Sequence, residues 1–247
     1  MKNIKKKTVP PHDIVFGIHP IIELLTAKKR PVYQIHTTKP TPKAWSQIER
    51  LLPANVTIQY VQKSALDRLA ETDDHQGVIA LVKPLQKRSS CFDPRKHPFI
   101  ILLDSIQDTR NIGGILRSAY CTGVDGVVIP EKRSAPLSGA TYKASAGLAE
   151  YLDLWQPASS HQAAQELKAA GYNLYMAALG GKNALEVDYQ QPVCLVIGNE
   201  STGITNEVLK FGEKLTLPQR TPKISYNASV AAGIMLFTIA TKSGVLK

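Results

Sequence analysis

Along the 247-residue chain, short apolar runs alternate with stretches whose apolar residues recur at helical spacing. In the first third, β-like runs at 32–37, 56–61 and 77–83 are separated by helical segments. One helix is expected to open near Pro20, with Ile21, Ile22, Leu24 and Leu25 as its apolar face. A second is expected at Thr41-Pro42, a cap residue followed by proline at the first helical position. From residue 99 the alternation repeats on a larger scale, with predicted strands at 99–103, 126–129, 174–178, 193–197 and 214–217. Continuous apolar strands with helices between them predict a mostly parallel sheet covered on both faces. The last apolar run, 230–240, is apolar nearly all round. It predicts a helix buried in the domain or against a second subunit, capped by Ser225 or Asn227.

The polar stretch 84–98 interrupts this pattern and is the expected linker. The chain then divides into a basic tail (1–12), a small α/β domain (13–83) and a larger parallel-sheet α/β domain (99–247). A composition of 43% hydrophobic and 20% charged residues is that of a globular chain. The formal net charge of +10 is uneven: residues 1–98 hold 17 Lys or Arg against 8 Asp or Glu, and residues 99–247 hold 13 against 12. Such an excess suggests a polyanionic partner or an anionic membrane surface. No run approaches the roughly 18 apolar residues that a spanning helix needs. The lysine-rich start leads into no apolar segment of the secretory kind, so a cytoplasmic location is expected. Three cysteines without a C-x-x-C pair argue against a disulfide framework and a zinc site, and no metal is expected.

Parallel sheets bind ligands beyond the carboxyl ends of their strands, which directs attention to three loops. The first holds Asn111, Gly113-Gly114 and Arg117. Asn111 reads as a helix cap or as a functional amide, and a helix is expected to begin there. The paired glycines imply close packing or close approach of a ligand. A guanidinium beside Ile115 and Leu116 requires a carboxylate or phosphate, supplied internally or by a ligand. The second loop, Gly198-Asn199-Glu200-Ser201-Thr202-Gly203, is a turn or a ligand cradle. It carries neither a Walker A nor a dinucleotide fingerprint. The third runs from Leu217-Pro218 to Ser225-Tyr226-Asn227.

In order, Asn111 with Arg117, Gly198-x-Glu200, and Leu217-Pro218 with Ser225-x-Asn227 resemble the three motifs of the SpoU (TrmH-type) RNA 2'-O-ribose methyltransferases. Gly17-Ile18-His19-Pro20 and His75-Gln76-Gly77-Val78 resemble the opening and closing motifs of the substrate-binding domain found in ribosomal-RNA members. The resemblance implies a deep trefoil knot in the larger domain and a homodimer through the knot region. It implies S-adenosyl-L-methionine as cofactor, held around Ala178, Leu179, Gly180, Gly198, Leu217 and Tyr226. The implied catalytic set is Asn111, Arg117, Glu200, Ser225 and Asn227, with Arg117 holding the RNA phosphate and the others orienting it. The implied substrate is large-subunit ribosomal RNA, with transfer RNA, or a non-catalytic RNA-binding role on the same scaffold, as alternatives. Ser201 and Tyr226 depart from the glycine and leucine common at those positions.

Overall fold

The computed structural model describes residues 11–221 and 225–246. The expected tail at 1–12 therefore lies almost wholly outside the described residues. Contacts divide the chain into two compact units, Met1–Gln86 and Lys87–Lys247.

The first unit comprises β1 (Asp13–Phe16), α1 (Ile18–Ala27), β2 (Val32–Thr37), α2 (Trp45–Leu51), β3 (Thr57–Tyr60), α3 (Lys63–Ala70) and β4 (Val78–Val82). Its sheet has the order β1-β4-β2-β3, with β4 antiparallel to both neighbours and β2 parallel to β3. All five residues of β4 are buried, as a central apolar strand requires. Pro20 falls in the first turn of α1, where its missing N–H leaves no bond unmade. Thr41-Pro42 does not open a helix. The Trp45 amide donates to the Pro42 carbonyl (2.9 Å) in a turn, and α2 starts at Trp45, whose ring is buried.

The second unit comprises β5 (Phe99–Asp104), α4 (Thr109–Cys121), β6 (Gly126–Val128), α5 (Gly139–Ala144), β7 (Asp153–Trp155), α6 (Ser160–Ala169), β8 (Asn173–Asn183), β9 (Val193–Gly198), α7 (Asn206–Leu209), β10 (Glu213–Thr216) and α8 (Ala228–Lys242). All pairings in its six-stranded sheet are parallel, in the order β10-β8-β9-β5-β6-β7. The central strands β5 and β9 are buried at every residue. Each fully buried aliphatic side chain contributes about 1.5–3 kcal/mol, so these two strands anchor the unit. β8 runs five residues past its predicted end because its extension pairs with β10.

The expected linker is divided between the units. From Lys87 onward it belongs to the second: the Arg88 amide donates to the Leu154 carbonyl (2.7 Å), and Phe92, 2% exposed, packs with Trp155 and Tyr172 in the core. With this boundary the first unit holds 13 Lys or Arg and 7 Asp or Glu, and the second 17 and 13. Both units are cationic, at +6 and +4. The difference from the division at residue 98 lies in residues 87–98, which hold Lys87, Arg88, Arg95 and Lys96 against Asp93.

The burial pattern also orders the thiols. Cys194 is fully buried in β9, which pushes its pKa up, and burial raises half-buried Cys91 to about 11, whereas Cys121 is exposed. Iodoacetamide at neutral pH is expected to modify Cys121 first and Cys194 only after unfolding, which time-resolved mass spectrometry will check.

Candidate active site

Helix α4 starts two residues before Asn111. Asp108 is its cap, accepting a hydrogen bond from the Arg110 amide (2.7 Å), so the expectation of Asn111 as the cap is corrected. Asn111 sits inside the first turn, is 8% exposed, and has its side chain available for longer-range contacts. The paired glycines serve helix packing. A β-carbon on Gly113 would lie 2.4 Å from that of Ala144 in α5, and one on Gly114 would lie 3.1 Å from that of Ser229 in α8.

Asn111 joins segments far apart in the chain. Its Nδ2 donates to Glu200 Oε1 (2.7 Å), and its Oδ1 accepts from Asn227 Nδ2 (3.1 Å). Asn227 is the cap of α8: its Oδ1 accepts from the Ser229 amide (2.9 Å) and the Ser229 hydroxyl (2.7 Å). Of the two residues named as possible caps, Asn227 is the one used. Asn227→Ala removes both the cap and the donor to Asn111, and is expected to cost about 1–2 kcal/mol. Asn227→Asp keeps the cap acceptor and should recover part of that loss, as urea unfolding midpoints will report.

The turn after β9 places Glu200. Asn199 and Gly203 exchange backbone hydrogen bonds (3.1 and 2.9 Å), while Asn199 Oδ1 accepts from the Ser201 and Thr202 amides (2.9 and 3.1 Å). Asn199 Nδ2 donates to the Ser105 carbonyl (2.9 Å), tying this turn to the loop after β5. Buried Asp104 adds a second tie, accepting from the Thr205 amide (2.7 Å). Sequence reasoning missed Asp104 and Asn199 as organisers of the site. Their signals were an acid closing an apolar strand and an Asx-turn residue between Gly198 and Glu200. Ser201 has an ordinary negative φ, so this position does not require glycine.

A cavity of about 450 Å³ opens between this turn, the ends of β8 and β10, and the start of α8. Ala178, Leu179, Gly198, Leu217 and Tyr226 line it, as do Glu200 and Ser225. Gly180 does not: it lies just beyond, in a left-handed conformation (φ 76°). The Tyr226 hydroxyl donates to the Pro218 carbonyl (3.2 Å), bridging the two ends of the third loop. A second cavity, about 670 Å³ and largely polar in its lining, holds Ser105, Gln107, Asn111 and Arg133. It shares Asn199, Glu200, Ser201 and Thr202 with the first, so the Glu200 turn is a wall common to both.

Arg117 stands apart from this cluster. It is exposed on α4, two residues short of Ala119, lines neither cavity, and forms no ion pair with another described residue. The internal salt bridge considered for it is not made among the described residues. Asn111, Glu200 and Asn227 are brought together, and Ser225 shares the first cavity with Glu200. Among the described residues no cluster of His, Cys, Asp or Glu could hold a metal ion, and no helix is long and apolar enough to cross a membrane.

The chain is similar to known proteins along nearly all of its length. Residues 98–237 match the SpoU rRNA Methylase family, and residues 14–88 match the domain described as RNA 2'-O ribose methyltransferase substrate binding. The putative TrmH family tRNA/rRNA methyltransferase YacO of Bacillus subtilis is 31% identical, over 94% of this chain and 96% of its own. The 23S rRNA (guanosine-2'-O-)-methyltransferase RlmB of Haemophilus influenzae is 27% identical, over 91% of this chain and 96% of its own. Among solved structures, the SpoU methyltransferase AviRb from Streptomyces viridochromogenes, in complex with AdoMet, superposes with a TM-score of 0.79 at 21% identity, covering 95% of this chain and 92% of that one. With a family match over more than half its residues and a 31% identical relative along almost its whole length, this chain belongs to the SpoU rRNA methylase family.

Proposed function

We propose that the protein transfers a methyl group from S-adenosylmethionine to a ribose 2'-hydroxyl of large-subunit ribosomal RNA. The observation that carries this reading is the Asn111–Glu200–Asn227 network, whose Glu200 turn separates two adjoining cavities. The first has the size of a small-molecule site. Its lining combines aliphatic Leu217, Ala231 and Met235 with polar Glu200, Gln219 and Ser225, which suits a ligand with a flat ring system and a zwitterionic arm. S-adenosylmethionine, when bound, supplies an electrophilic methyl group. The second cavity, on the other side of Glu200, receives the nucleotide whose ribose reacts.

The chain's own residues then supply alignment and charge. Asn111 and Asn199 each donate to one Glu200 oxygen (2.7 and 3.3 Å), positioning the carboxylate, whose remaining lone pairs accept a hydrogen bond from the ribose. Arg117 supplies a planar guanidinium fork that matches the geometry of a phosphate. It holds the RNA phosphate and lowers the pKa of the 2'-hydroxyl electrostatically. On α8, Val230, Ile234 and Phe237 form an exposed apolar stripe with one-turn spacing, on a helix whose sequence pattern predicts burial in the domain or against a second subunit. A second copy of the chain covers that stripe in the homodimer we infer. A trefoil knot in the second unit belongs to the same reading, and the SpoU rRNA Methylase match at residues 98–237 supports it.

The substrate reading draws on the match at residues 14–88, on the printed activity of RlmB, and on the net charge of +10. Such a substrate locates the reaction in the cytoplasm. Large-subunit ribosomal RNA from cells lacking the protein should gain a ribose methyl when incubated with it and labelled S-adenosylmethionine. No ribose label despite calorimetric cofactor binding would overturn the activity, and label in transfer RNA alone would overturn the substrate.

A further inference from the structure

In the first unit, β2 and β3 are parallel and β4 is antiparallel to β2, so the carboxyl ends of β2 and β3 and the start of β4 share one edge of the sheet. The loops there enclose an open groove of about 1040 Å³. Its lining includes Tyr60, which is 47% exposed, with the Lys39 ammonium 4.2 Å from the ring centroid. Lys63 and Arg68 line the same groove, and Asp73 is the only carboxylate among the described residues that line it. Lys39, Lys63 and Arg68 form no ion pair with any described residue. An exposed aromatic ring among three cations that pair with no described carboxylate offers both stacking surface and positive charge.

The floor of the groove is rigid. Thr37 Oγ1 donates to the Gly77 carbonyl (2.8 Å), the Val61 amide donates to the Thr37 carbonyl (2.8 Å), and the Gly77 amide donates to His75 Nδ1 (2.9 Å). Buried His75 is held through Nε2 by Asp67 Oδ1 (2.8 Å). Gly77 has φ 77°, and a β-carbon there would lie 3.0 Å from the Pro42 ring, so this corner accepts little but glycine. A platform ordered in advance loses little entropy when a ligand docks.

We propose that this groove is a single-strand RNA grip, in which Tyr60 stacks an unpaired base of the substrate while Lys39, Lys63 and Arg68 hold the flanking phosphates. The assignment rests on the RNA-methylating function proposed above and adds where, and through which chemistry, the first unit engages the nucleic acid. Stacking on an aromatic ring suits any base, and the cations supply the sequence-independent share of the affinity. The groove therefore selects for unpaired RNA rather than for a particular sequence.

Filter binding of the full-length protein to a large-subunit ribosomal RNA transcript, with poly(U) and poly(glutamate) as competitors, tests this. Tyr60→Ala is expected to weaken binding about tenfold, whereas Tyr60→Phe keeps wild-type affinity. The Lys39→Ala, Lys63→Ala, Arg68→Ala triple variant should reduce the slope of log affinity against log salt by about 2. Far-UV circular dichroism and urea unfolding of each variant should match the wild type, which excludes unfolding of the first unit, and calorimetric affinity for S-adenosylmethionine should stay unchanged. Wild-type RNA affinity in both Tyr60→Ala and the triple variant overturns the groove while leaving the proposed function intact. Competition by poly(glutamate) equal to that by poly(U) also overturns it. Absence of RNA binding by the unmodified protein overturns both readings.

Discussion

Replacing Arg117 with alanine is expected to slow methyl transfer by about 10²–10³-fold while leaving cofactor affinity and stability unchanged. The magnitude is that of losing one charged donor at developing negative charge, the role proposed above for Arg117 once it meets the RNA phosphate. The selectivity follows from its position: Arg117 is exposed on α4, lines neither cavity and pairs with no described carboxylate. Its removal should therefore alter the unfolding free energy by less than about 0.5 kcal/mol. Arg117→Lys retains the charge but loses the planar fork, so partial activity is expected. Single-turnover kinetics with labelled cofactor, together with calorimetry, separates the terms. Undiminished turnover in Arg117→Ala would remove this residue from the chemistry and return the role to Glu200 and Asn111.

Gly198→Ala should have the larger structural effect, abolishing cofactor binding and lowering stability by about 3 kcal/mol or more. Its β-carbon would lie 2.2 Å from the Ile204 amide nitrogen and 2.3 Å from the Gly203 carbonyl carbon. Both are backbone atoms, and Gly203 is held by two hydrogen bonds to Asn199, so neither can yield as a flexible side chain would. Relief requires opening the turn that carries Glu200 and walls the first cavity. Gly180→Ala is the control. A β-carbon there meets nothing within 4 Å, and only its left-handed backbone is penalised, by about 1 kcal/mol. Cofactor binding that survives Gly198→Ala but fails in Gly180→Ala would reverse the assignment of the cavity.

Much of this architecture was legible because its central strands are unbroken apolar runs. The runs at 99–103 and 193–197 became β5 and β9, whose burial on both faces leaves no polar alternation to misread. What stayed hidden depended on distant partners. Phe92 is a single aromatic in a polar stretch, and only Trp155 and Tyr172 make it a core residue. Asp108 and Asn111 are both good caps three residues apart, and the sequence pattern contains nothing to choose between them. The choice is made by Glu200 and Asn227, which engage the Asn111 amide from 89 and 116 residues away. For α8 the sequence left two readings open, since a helix apolar all round looks the same whether its second face meets the core or another subunit. Arg117 was identifiable as an unusual charge, but its separation from Glu200 within one chain was not.

The strand order also constrains how the protein comes to exist. β5 is made first among the strands at the centre of the second sheet, yet its neighbour β9 pairs Val193 with Phe99, 94 residues earlier. On a ribosome adding about 5–20 residues per second, one edge of β5 waits roughly 5–20 s for its mate. During that interval the nascent chain displays Phe99, Ile100, Ile101, Leu102 and Leu103 with half their ladder unmade. Such a chain would be among those that lean on a chaperone at the exit tunnel, and slowing translation between residues 104 and 193 should raise the fraction lost to aggregation.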